Sequence, residues 1–232
     1  MEIKYVKKRK FKEVYVFSLN QKIPANVICY IIYNFIVLKL NGQQKNIQIK
    51  YKKNIDSYIS VLDILNKIRN SIADGLKQMY REGRIGGPPE VNKIVAIDES
   101  LFIHDNNTPI WGIGAIEADS RKMRFDVINR RTSENIKTFL LNHVEAGTII
   151  ISDGWPGYAF LGGEESFLEH ETHSHIAGDF GFGLSSTSHM EDTWAHLKNE
   201  ITAIYNCIPS NHFILYLREA EFRLRLSKKR FF

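Results

Sequence analysis

KIVAIDES, residues 93–100, carries an apolar run of Ile94, Val95, Ala96 and Ile97 into an acid, Asp98. TIIISDGWPGY, residues 148–158, repeats the arrangement, with Ile149, Ile150 and Ile151 leading to Asp153 and then to Gly154, Pro156 and Gly157. Apolar runs of this length, bounded by turn residues, read as buried strands. In each, the carboxylate leaves the sheet at the C-terminal end of its strand, where an open α/β fold places ligands. If the two strands are neighbours, the acids converge to metal-bridging distance. Two such carboxylates repel, and divalent cations bound between them relieve that repulsion while creating a site for in-line phosphoryl transfer.

The flanking sequence supplies the rest of a sheet. PIWGIGAIE (109–117) and MRFDVIN (123–129) read as the second and third strands, joined by polar turns. TSENIKTFLLNHV (132–144) reads as a helix capped by Thr132 or Ser133, with Ile136, Phe139, Leu140 and His143 on one face. Later helices are expected over about 189–205 and after Pro209 and Ser210. Three strands, a helix, a strand and then helices make an α/β mixed sheet covered on both faces.

A third acid comes from STSHMEDTWAHLKNEI. Glu191 lies 38 positions beyond Asp153, and Lys198 lies seven beyond Glu191, two helical turns along the same face. Met190, Trp194, Leu197 and Ile201 form the adjacent apolar stripe, which pins this helix to the sheet and aims Glu191 toward the acids. Taken singly, a strand-end aspartate is a turn residue and a helical Glu or Lys a solvated one. Their joint order is what points to a site. Glu99, next to Asp98, faces the other side of its strand and is a supporting residue.

Upstream, Ile59, Leu62, Leu65, Ile68, Ile72 and Leu76 recur at helical spacing, with Ser57 to cap the helix and Gly83 to end it. RIGGPPEVNK (84–93) is Gly/Pro punctuation, which divides the chain into a basic, mainly helical region 1–85, a linker 86–92 and a domain 93–232. VICYIIYNFIVLKL (27–40) is too short and too interrupted by Asn34 for a membrane span and reads as a buried segment.

With 232 residues, 44% hydrophobic and 25% charged, the chain has enough apolar residues to bury a core in one large domain or two small ones. Cys29 and Cys207 alone build neither a disulfide framework nor a cysteine zinc ribbon, and fit a reducing compartment. The net charge of +5 is concentrated in Lys4 to Lys12, in Lys45 to Lys53, and in Arg218, Arg223, Arg225, Lys228, Lys229 and Arg230. Such clusters suit either a phosphate backbone or a solvated basic surface. EHETHSH (169–175) gathers His170, His173 and His175 without the spacing of a standard zinc site.

AIDESLF, TIIISDGWPGY and SHMEDTWAHLK together resemble the three catalytic blocks of Merlin-type DDE transposases, relatives of bacterial insertion-sequence transposases, and IGGPPEVNKIVAIDES resembles the lead-in of the eukaryotic members. The resemblance spans about 85–225. It implies an RNase H-like domain behind a smaller helical region, with Asp98, Asp153 and Glu191 as the catalytic and metal-binding triad. It also implies two Mg2+ ions, with Mn2+ as a substitute, and Lys198 as a contact to DNA phosphate. Trp155 and Tyr158 are candidates to stack on an unpaired base, and His175 to line the rim of the site. The implied partners are double-stranded DNA at transposon ends and further copies of the chain, with no membrane. The location is nuclear in a eukaryote, with KKRK (7–10) as an import signal, and otherwise cytoplasmic with DNA.

Three departures accompany the resemblance. The segment LFIHDNNTPIWG lacks the family's basic residues, Ser186 to Met190 differ from the usual approach to the glutamate, and no zinc ribbon precedes the domain. They frame the alternative, a decayed or host-adopted DNA-binding protein. A nuclease of the same fold that hydrolyses without joining is a third reading.

Overall fold

The computed structural model describes residues 24–36, 58–105, 108–163, 169–172, 188–204 and 212–228. The chain forms two compact units, Met1–Ser71 and Ile72–Phe232. In the first, helix α1 (Ala25–Ile36) buries Val27, Ile31 and Phe35, and the Arg69 guanidinium lies 5.4 Å from the centre of the Phe35 ring. Helix α2 (Tyr58–Glu82) follows the expected periodicity, with Ile64, Leu65, Ile68 and Leu76 buried, and stops just before Gly83. Ser57 and the basic clusters at Lys4 to Lys12 and Lys45 to Lys53 lie outside the described residues. Among the described residues no helix is long and apolar enough to cross a membrane.

The second unit is built on a five-stranded mixed sheet with strand order β3-β2-β1-β4-β5. The strands are β1 (Ile94–Asp105), β2 (Thr108–Glu117), β3 (Met123–Ile128), β4 (Ile149–Ser152) and β5 (Glu169–Thr172). The first three form an antiparallel meander, and β4 joins β1 in parallel after the crossover helix α3 (Ser133–His143). This is the mixed α/β sheet covered by helices that the sequence predicts. Thr132 caps α3 as read from the sequence, its side chain accepting a hydrogen bond from Asn135 N at 3.3 Å.

Alternation along the strands sorts the core into two layers. Val95, Ile97 and Ile150 pack with Ile136, Phe139 and Leu140 of α3 on one face. Ala96, Ile116 and Phe125 face helices α4 (Ser188–Ile204) and α5 (Phe213–Lys228) on the other, against Met190, Trp194, Leu197, Phe213 and Leu217.

Four sequence expectations change here. First, β1 does not end at Asp98. It runs on to Asp105, because its antiparallel pairing with β2 outlasts its parallel pairing with β4, which ends at Ala96 opposite Ile151. Second, 86–92 is not a free linker. Ile85 is fully buried and bridges Val144, and Glu117 Oε2 accepts a hydrogen bond from Gly86 N at 2.9 Å. Gly86, at φ 91°, leaves no room for a side chain beside Thr148. The boundary between the units lies instead within α2. Third, β5 falls in the histidine-rich segment, where its four residues are too few and too polar to give a strand signal.

Fourth, the arginines near the C-terminus are internal. Arg218 pairs with Glu221 at 3.2 Å, Arg223 with Glu219 at 2.6 Å and Arg225 with Glu221 at 2.7 Å, all on α5. Arg218 Nη1 also donates to the Phe125 carbonyl at 2.5 Å, Arg225 Nη2 to the Met123 carbonyl at 2.6 Å, and Phe125 N donates to the Tyr80 hydroxyl at 3.0 Å. These side chains satisfy the open edge of β3, which would otherwise offer unpaired backbone groups to another strand. Their charge is therefore spent inside the fold; Lys229 and Arg230 lie outside the described residues.

Candidate active site

The register of the sheet sets the geometry. Ala96 pairs with Ile151 across β1 and β4, so two residues further along both strands Asp98 stands abreast of Asp153, just past the end of β4. Neighbouring strands lie about 4.8 Å apart, which puts the two carboxylates at one point on the sheet. Asp98 Oδ1 accepts from Glu99 N at 2.8 Å, and Asp153 Oδ1 accepts from Trp155 N at 3.1 Å. The second bond is the reason a turn follows Asp153 at once: the aspartate caps its own turn.

Electrostatics mark the same pair. Burial, reinforced by the charges of Glu99 and Asp153, pushes the Asp98 carboxyl up to about 7 from an ordinary 3.8, against the lowering pull of the Glu99 amide and of Arg131. Burial is the largest cause, and it leaves this acid at the edge of ionisation near neutral pH, a perturbation of the kind found at functional sites.

Glu99 and Arg131 complete the cluster. Glu99 is on the α3 side of β1, as alternation requires, with its side chain fully buried. It accepts from the Tyr158 hydroxyl at 2.6 Å and from Arg131 Nε at 2.9 Å, while Arg131 Nη2 reaches Asp153 Oδ2 at 3.0 Å. Burial raises the Glu99 carboxyl, opposed by Tyr158 and Arg131. Sequence reasoning missed Arg131. Its only signal was its place directly before the Thr132 cap, at the same end of the sheet as the acids.

Tyr158 is thus a packing residue, 1% exposed, with its hydroxyl committed to Glu99, and is not available to stack on a base. Trp155 is half-buried, with the Arg131 guanidinium 4.2 Å from its ring centre and its six-membered ring against Gly157. His170, from the histidine-rich segment, meets Ser152 Oγ at 2.8 Å and is held below its ordinary value by burial, so it ties β5 to the end of β4. His173 and His175 lie outside the described residues.

Helix α4 carries the third acid. Met190, Trp194, Leu197 and Ile201 are buried as the stripe requires, and Glu191 is in the first turn on the exposed side. Met190, the residue before Glu191, packs over Gly114, which is paired with Asp98 across β1 and β2. Even so, among the described residues no three His, Cys, Asp or Glu side chains are grouped closely enough to hold a metal ion. The structure unites Asp98 with Asp153 and leaves Glu191 at the rim. Lys198 lies two turns along α4, its ammonium 5.7 Å from the Phe102 ring centre.

The family described as the ISXO2-like transposase domain matches residues 85–225, more than half of the chain and all of the sheet. The chain belongs to this family of DDE transposases. No curated protein matches the sequence significantly. Among solved structures, the simian T-cell lymphotropic virus intasome in complex with PP2A regulatory subunit B56 gamma is similar over 59% of this chain and 49% of that one, at 20% identity and a TM-score of 0.42. This chain therefore spans about half of that one. The HTLV-2 integrase catalytic core domain with magnesium is similar over 59% and 86%, at 18% identity and a TM-score of 0.37. The catalytic core domain of BIV integrase is similar over 61% and 99%, at 17% identity and a TM-score of 0.37.

Within this transposase domain, two glycines let α4 approach the sheet. A Cβ on Gly114 would lie 2.7 Å from the Phe125 ring and 2.9 Å from Met190 Cε, and one on Gly112 would lie 2.7 Å from Phe102. Gly114→Val should therefore destabilise the domain by about 1–3 kcal/mol and push the start of α4, with Glu191, off the sheet. Thermal unfolding together with a DNA cleavage assay reads both effects, and cleavage should fall further than stability alone explains.

The raised Asp98 gives a pH dependence of stability. Between pH 3.8 and about 7 the unfolded chain has lost the Asp98 proton while the folded chain keeps it, so stability falls as pH rises through that window. A shift of this size corresponds to at most about 4 kcal/mol, less what solvent screening removes. Urea unfolding of the metal-free protein at pH 5 and pH 8 should show the loss, and Asp98→Asn should flatten it.

Proposed function

We propose that the chain is a DNA transposase that cleaves and joins phosphodiester bonds at transposon ends in a metal-dependent reaction. The observation that carries the reading is the β1/β4 register, which sets Asp98 and Asp153 side by side. The family match supports it. The finer assignment is to the Merlin type, on the three sequence blocks and the Gly-Gly-Pro lead-in.

The donor set fits hard cations: carboxylate oxygens from adjacent strands, with one guanidinium nearby and no thiolate. Asp98, Asp153 and Glu191 would hold two Mg2+ ions, or Mn2+ in their place. When bound, the ions supply Lewis acidity at the phosphodiester and lower the pKa of the attacking water or 3′-hydroxyl. The chain's own groups do the remainder. Asp98 and Asp153 would be the ligands from adjacent strands, with Asp153 oriented through the Trp155 amide, and Glu191 on α4 would complete the set. Lys198, on the same helix, contacts a DNA phosphate and sets the register of the strand. Trp155, half-buried beside the acids, stacks on a base near the cleaved end. Paired ends call for at least a dimer of the chain. The protein works where its DNA is, in the nucleus if the source is a eukaryote and otherwise in the cytoplasm.

The test is cleavage and strand transfer of the element's own terminal DNA by the full chain with Mg2+ or Mn2+. Nicked and joined products that require the metal support the reading. Nicking without joining indicates a nuclease of the same fold, and neither product in the presence of salt-sensitive DNA binding removes the catalytic claim.

A further inference from the structure

Arg131 has three partnerships at one spot. Its guanidinium donates from Nε to the buried Glu99 at 2.9 Å and from Nη2 to Asp153 Oδ2 at 3.0 Å, and it lies over Trp155 at 4.2 Å. A second ring, Trp111, stands 5.8 Å away. Burial disfavours the charge, but Glu99 and Asp153 outweigh it and raise the arginine above its ordinary value. Arg131 is thus a fixed cation bonded to one of the two acids that the fold sets abreast.

We propose that Arg131 is a built-in counter-ion of the acid cluster, tethered by Glu99, and that it competes with divalent metal for Asp153 Oδ2. The inference rests on the metal-site reading above and assigns roles to two residues that the triad leaves out. Glu99 cannot reach a shared metal itself, because it faces the α3 side and its two oxygens are taken by Tyr158 and Arg131. It acts through Arg131, as a positioning residue.

The geometry makes the exchange local. When metal takes Asp153 Oδ2, Arg131 loses one ion pair but keeps Glu99 and the face of Trp155, so a rotation of the guanidinium suffices and no buried charge is left alone. In the metal-free protein the same cation holds acids that otherwise repel one another. The fold is thereby stable before metal arrives, at the expense of metal affinity.

The sign of each substitution follows. Arg131→Gln removes the competitor, so the metal-free protein melts lower and Mn2+ binds about tenfold tighter. Glu99→Gln removes the tether's charge and leaves Arg131 to pair with Asp153 alone, so Mn2+ binds several-fold weaker. In the double variant the effect of Glu99→Gln disappears, because its route through Arg131 is gone.

The experiment is calorimetric titration of the full chain with MnCl2, for wild type, R131Q, R131K, E99Q and R131Q/E99Q, beside metal-free melting curves. Opposite shifts in Kd for R131Q and E99Q, with the double variant matching R131Q, are expected. Lower melting with no change in Kd for R131Q gives Arg131 a structural role only and overturns the proposal. An equal loss of affinity from E99Q in both backgrounds overturns the relay. R131K, which keeps the charge but lacks the fork, should bind Mn2+ modestly tighter than wild type and decides the matter if R131Q does not fold; an unchanged Kd then overturns it. If wild type itself binds no Mn2+, the metal-site reading fails and takes this inference with it, an outcome distinct from a wild type that binds and variants that do not differ.

Discussion

Asp153→Asn should leave a folded protein that neither cleaves nor joins DNA, with activity down by at least about a thousandfold. The amide keeps the shape of the carboxylate and can still accept the Trp155 N–H at the position of Oδ1. What it loses is the negative charge beside Asp98, and with it the ion pair to Arg131. Because Asp153 is partly exposed and one carboxylate fewer reduces repulsion around Asp98, stability should change little. Circular dichroism and melting curves establish the fold, and a gel assay on terminal DNA with Mn2+ measures the loss. Retained cleavage in a folded variant would remove Asp153 from the site.

The second large effect concerns stability. Glu221 is fully buried and binds Tyr80 through both oxygens at 2.7 Å, as well as Arg218 at 3.2 Å and Arg225 at 2.7 Å. Glu221→Ala leaves two arginines facing each other and Tyr80 without its acceptor, and should destabilise the domain by about 3–5 kcal/mol. For a unit of this size that is a fall in Tm on the order of 10 °C. The arginines also close the edge of β3, so the variant should aggregate on heating more readily than the wild type. Differential scanning calorimetry and light scattering during the ramp check both. A loss below about 1 kcal/mol would mean the network is dispensable.

The readable parts of the sequence were those whose pattern is local. The apolar runs before Asp98 and Asp153 announced β1 and β4, and the spacing of Met190, Trp194, Leu197 and Ile201 gave the buried face of α4, all of which stand. Thr132 as a cap, and Ile136, Phe139 and Leu140 as a face, were legible for the same reason. What escaped was decided by tertiary partners. Arg218, Arg223 and Arg225 look like a basic tail until Glu219 and Glu221 on the same helix are seen to be buried with them. The Gly-Gly-Pro segment looks like a linker until Thr148 and Val144 close over it.

The site divides in the same way. That Asp98 and Asp153 meet was inferable from two strand ends and a parallel pairing, whereas Arg131 becomes visible only once Glu99 and Asp153 are known to flank it. Tyr158 shows the limit of composition. An aromatic just after a strand-end acid suggests stacking on a base, but its hydroxyl found a buried carboxylate 59 positions away in sequence. Glu191 remains at the rim because its placement depends on how α4 begins, and residues 173–187 before it lie outside the described ones.

The most direct test of the central claim is a crystal of the second unit, residues 72–232, or of the full chain should that piece not fold, grown with Mn2+ and measured at the manganese absorption edge. The account predicts anomalous density between Asp98 and Asp153, with Glu191 drawn in as a further ligand and the Arg131 guanidinium turned away from Asp153 Oδ2. Manganese bound elsewhere, or a site at these aspartates that stays empty at concentrations supporting cleavage, would contradict it.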